Sequence, residues 1–84
     1  MIAVIEREHS VVWGYGITAV EAMQDAERWI ASWKLAMTER GKQAVVGALE
    51  YARLDPKADF KHCDGEGLWR WVLDKVPVQG DLFR

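Results

Sequence analysis

Eighty-four residues, half of them hydrophobic, make one domain near the lower size at which a single core stands unaided. A net charge of −2 gives no electrostatic footprint for non-specific nucleic-acid binding, and a single cysteine excludes an internal disulfide framework and fits a reducing cytosol. The opening MIAVIEREHS carries charges where a signal peptide needs a continuous apolar run, and no apolar run approaches membrane-spanning length, so a soluble, cytoplasmic protein is expected.

Ile2 to Ile5 is a short β-branched run, and Val11 to Tyr15 is a second stretch rich in strand formers. The polar Glu6–Ser10 between them predicts an N-terminal hairpin. Gly14 and Gly16 bracket the end of the second strand and are read as permitting a sharp strand-to-helix corner. Thr18 and Glu21 then form a T-x-x-E capping box that opens a long helix. Ala19, Ala22, Met23, Ala26, Ile30, Trp33 and Met37 recur at three- and four-residue steps, one apolar stripe that Trp29 widens. Gly41 ends the helical region. This order lets the helix fold back over one face of the hairpin, its alanine-rich first half allowing close approach.

Gln43–Leu54 reads two ways. Its Ala, Leu, Glu and Arg content favours helix, whereas the alternation of Leu49, Tyr51 and Arg53 with Ala48, Glu50 and Ala52 favours a third strand, and Gly47 weakens the helix. Asp55-Pro56 starts a turn or short helix, and Asp64–Gly67 is a second turn. Leu68–Leu73 is expected as a strand showing Trp69, Trp71 and Leu73 on one side. Pro77 and Gly80 mark a tail. The predicted class is α+β: a hairpin, one long amphipathic helix on a small antiparallel sheet, and further short strands or helix. The domain spans 1–76 and an extended tail spans 77–84.

Three clusters invite chemistry. His62-Cys63-Asp64 has nucleophile and base types, but sequence neighbours point apart on an extended chain, and a metal would need further ligands where only His9 remains. Gly14-Tyr15-Gly16 sits where phosphate loops occur, yet lacks a third glycine and any Lys-Ser/Thr. Trp69, Arg70 and Trp71 could stack on single-stranded nucleic acid, though Asp64, Glu66 and Asp74 make the charge mixed; a core-facing Trp beside an interface Trp is the plainer reading. With five tryptophans to house, a homodimer through a Trp-rich face is a further expectation. No catalytic residues, metal, cofactor or membrane contact is expected, and direct nucleic-acid contact is disfavoured.

The stretch VVWGYGITAVEAMQDAERWI, through Gly16, Thr18, Glu21, Ala22 and Ala26, loosely resembles the G-x-T-x-x-E-A-x-x-x-A segment of HicB-like antitoxin domains. The likeness covers about a quarter of the chain. It implies a partial RNase H-type α+β fold and an antitoxin or regulator that binds a toxin or nucleic acid. The end of the chain, Gln79-Gly80-Asp81-Leu82-Phe83, resembles the Gln-x-Asp/Ser-Leu-Phe pentapeptide by which bacterial polymerases and repair proteins dock on the DNA sliding clamp. All four informative positions match. That resemblance implies a small non-enzymatic accessory or inhibitor of replication, with Gln79, Leu82 and Phe83 as anchors and Asp81 orienting the segment. A phage, plasmid or other mobile-element origin would suit so small a chain.

Overall fold

The two N-terminal apolar runs pair as their patterning predicts. In the computed structural model, which describes residues 1–77, β1 (Ile2–Glu6) and β2 (Val11–Gly16) form an antiparallel hairpin, followed by helix α1 (Ala19–Glu39). Then come β3 (Leu49–Leu54), a short helix α2 (Gly65–Leu68), a 3-10 turn (Trp69–Trp71) and β4 (Val72–Lys75). The strands form one antiparallel sheet in the order β2-β1-β3-β4, which gives the α+β fold expected from sequence. Because β2 and β3 flank β1, α1 carries the chain over β1 from one side to the other. The alternation within Gln43–Leu54 resolves as strand from Leu49, with Gln43–Ala48 an irregular lead-in.

Both faces of the sheet are covered, so β1 is apolar from Ile2 to Ile5. On one face Val4 meets Ala22 and Ala26 of α1, with Ile2, Trp13, Met23 and Tyr51 around them. On the other, Ala3, Ile5, Val12, Ala52 and Leu54 lie under Ala58 and Leu68. Val4 and Ile5 are both completely buried, which period-2 alternation in β1 requires only when each face has its own lid.

The glycines of β2 serve by leaving room for close approach, not by adopting a positive φ. Among the described residues Gly41 is the glycine with positive φ, whereas a Cβ at Gly14 would fall on the Ala26 amide and one at Gly16 within 2.6 Å of Glu21 Cβ. Gly14 therefore lets α1 lie directly on the sheet, and Gly16, packed against the first helical turn at Glu21 and Ala22, leaves room for the sharp strand-to-helix corner expected of it.

The capping box forms as read: Thr18 Oγ1 accepts from the Glu21 amide at 3.2 Å, and Glu21 Oε1 accepts from the Thr18 amide at 3.2 Å. The helix closes with Lys42 N donating to Met37 O and Gly41 N to Thr38 O, both at 2.9 Å, a Schellman arrangement with Gly41 at φ +68°. Nothing lies within 4 Å of a Cβ at Gly41, so a Gly41→Ala variant meets only backbone strain. Its expected cost is about 1 kcal/mol. Urea unfolding checks this; a variant as stable as the parent would mean that the left-handed cap is dispensable.

Two expectations need correction. Trp29 does not widen the buried stripe: it is 59% exposed, while Met23, Ile30, Trp33 and Met37 turn inward. Leu68–Leu73 is not a strand, because β4 begins only at Val72. Asp64 Oδ1 accepts from the Gly67 amide at 2.8 Å and starts a helical turn there. Leu68, Trp69, Trp71 and Val72 then fall on one side at helical spacing and pack on the second core face.

Candidate functional site

β2 carries one residue more than β1 opposes. Val4 faces Gly14 and Ile5 faces Val12, so Trp13 is the extra residue of a bulge. The bulge turns Trp13 onto the helix side, where its ring lies 5.3 Å from that of Trp33 and its indole N–H donates to Glu6 Oε1 at 3.0 Å. Glu6, read from sequence as part of a polar turn, closes β1 and is fully buried. Its Oε2 accepts from the Gly47 amide at 2.6 Å and lies 2.5 Å from His9 Nδ1. One carboxylate thus ties together the hairpin turn, β2 and the lead-in to β3. Burial alone would raise its pKa, but the bonds from Gly47, Trp13 and His9, with the His9 charge, outweigh that and hold it below the ordinary value.

Glu6, Glu8 and His9 bring three potential metal-ligand atoms within 4.8 Å of one another. Both Glu6 oxygens are already engaged, Oε1 by Trp13 and Oε2 by Gly47 and His9.

As the outermost strand, β2 leaves a groove of about 720 Å³ along its free edge. The α1 wall presents Asp25, Arg28, Trp29, Ser32, Trp33 and Ala36. Phe60, Cys63, Asp64 and Glu66 form the opposite wall, and Val11–Tyr15 the floor. Tyr15 stacks on Phe60 with ring centroids 4.5 Å apart. The edge is not bare: Tyr15 N donates to Asp25 Oδ2 at 3.1 Å, and Gly65 packs directly on the Val12 carbonyl.

No family model matches this chain, and neither does any curated protein or solved structure.

The residues singled out from sequence are dispersed. Trp69 and Trp71 are half-buried against the second core face, with the Arg70 guanidinium 5.6 Å from the Trp71 ring centroid. Among the described residues, Trp71 Nε1 is buried and meets no acceptor. His62 turns to Asp59, with Nδ1 3.1 Å from each carboxylate oxygen, and Asp64 caps α2, so His62-Cys63-Asp64 does not converge. Gln79, Asp81, Leu82 and Phe83 lie outside the described residues. No described helix is long and apolar enough to cross a membrane. The groove escaped sequence reading because its α1 wall mixes charged, aromatic and small residues without a pattern, and only the bulge aims Trp13 toward them.

Proposed function

We propose that this protein is a non-enzymatic interaction module whose C-terminal segment docks on the bacterial DNA sliding clamp, as a replication or repair accessory or as a competitor of other clamp ligands. The observation that carries this reading is the sequence Gln79-Gly80-Asp81-Leu82-Phe83, which matches the clamp-docking pentapeptide at each informative position. The side chains suit the task. The Gln79 amide can both donate and accept at a pocket rim, while Leu82 and Phe83 fill an apolar groove, worth about 1.5–3 kcal/mol apiece on burial. After association costs this supports micromolar-class affinity. The junction with the domain is also suitable. Val76 N makes a bond to Tyr51 O at 2.8 Å, and Pro77, exposed and without an amide proton, follows at once.

The test is a calorimetric titration of purified bacterial sliding clamp with the full chain and with its Gln79→Ala/Leu82→Ala/Phe83→Ala variant. The parent is expected to bind in the micromolar range and the variant about 100-fold more weakly. Equal binding by both proteins, or none by either, rejects the proposal.

A further inference from the structure

We propose that the groove along β2 is the docking site for an extended, cationic segment of a partner protein. The shape argues for an extended occupant. Asp25 and Ala36 mark the ends of the α1 wall and stand eleven residues apart, about 16 Å along a helix axis. An extended chain covers that distance in about five residues.

The chemistry argues for positive charge. Indole and phenyl rings stand on both sides, from Trp29 and Trp33 of α1 and from Phe60 opposite, with Trp13 and Tyr15 in the floor. Their faces attract cations. Among the described charged residues lining the groove, the carboxylates of Asp25, Asp64 and Glu66 stand against the guanidinium of Arg28. Arg28 is itself satisfied by Asp25 at 2.7 Å. The excess charge is therefore acidic and lies toward the α2 end, where a lysine or arginine side chain can lie across a ring and reach a carboxylate.

Other occupants fit less well. A phosphate backbone would meet Asp64 and Glu66 as like charges. A second copy pairing edge to edge would find the Tyr15 amide already bonded to Asp25 and the Val12 carbonyl covered by Gly65. Recognition through side chains is what remains open. The residues argued to line this groove and the residues of the clamp-docking pentapeptide are different ones, so either proposal can fail without the other.

Tryptophan fluorescence of the full chain, titrated with two blocked pentapeptides, tests the assignment. One alternates leucine with arginine, and the other alternates leucine with glutamate. The basic peptide is expected to bind at least about tenfold more tightly than the acidic one, and less tightly as salt rises. Trp29→Ala and Glu66→Lys alter exposed side chains and should leave the melting curve in place, while each weakens the basic peptide at least about fivefold. Indifference to peptide charge, no binding of the basic peptide at about 1 mM, or unchanged binding by Trp29→Ala overturns the proposal. Concentration-dependent dimerisation abolished by Trp29→Ala would also overturn it, by naming a twin as the occupant.

Discussion

A Gly14→Ala variant is expected to lose about 3 kcal/mol of stability, the upper part of the range for overpacking a well-filled core. For a domain of this size that lowers the melting temperature by about 15 °C. The added methyl would land on the Ala26 amide and within 2.8 Å of the Ala22 carbonyl oxygen. Those are backbone atoms of a helix clamped at both ends by its caps, so no side-chain rotation relieves the contact. The helix must lift from the sheet, and Val4, Ala22 and Ala26 then lose the fit that buries them completely. Gly41→Ala is the internal comparison, because a methyl there meets open space. Thermal unfolding of both variants followed by circular dichroism decides the matter. If Gly14→Ala costs no more than Gly41→Ala, α1 does not seat on β2 as closely as described.

Loss of the Glu6 carboxylate should be as damaging, and pH will reveal why. Glu6→Ala leaves the Trp13 indole N–H and the Gly47 amide without their acceptor, an expected cost of about 3 kcal/mol. Glu6→Gln keeps the volume but not the charge, and removes the titration. The folded-state pKa of Glu6 is held below its ordinary value of 4.5. The carboxylate's contribution is thus complete above that value and is lost as pH falls through the depressed folded-state pKa. Urea midpoints of the parent and of Glu6→Gln should therefore differ most near neutral pH and converge as pH falls below 4.5 and through the depressed folded-state value. A gap that stays constant across that range would show that the carboxylate's ionisation does not stabilise the fold.

These two positions also show what sequence could and could not say. Thr18, Glu21 and Gly41 announced both ends of α1 because caps are local chemistry, complete within a few residues. Ala22, Ala26, Ile30 and Trp33 announced the buried stripe through their spacing. Gly14 was visible as a glycine, but its purpose depends on where Ala26 arrives, a tertiary fact. Glu6 looked like part of a solvated turn because its partners, Trp13 and Gly47, are brought to it by a strand bulge and by a loop forty-one residues away. Trp29 and Trp33 carry the same residue type on neighbouring helix positions, and the sheet shelters only one of them. Leu68–Leu73 suited a strand by composition, yet Asp64 one turn earlier supplied a helix cap, and local capping prevailed over propensity. The groove was not legible for the same reason, since its lining comes from β2, α1 and the segment around α2 together.

The functional account depends on residues 79–83 being sufficient for clamp recognition, and competition measures that directly. A synthetic peptide of residues 79–84 is titrated into a preformed complex of the full chain with bacterial sliding clamp. The account predicts complete displacement, with the peptide's Kd within about tenfold of that of the intact protein. A complex that persists under saturating peptide, or a clamp that never forms one, contradicts it.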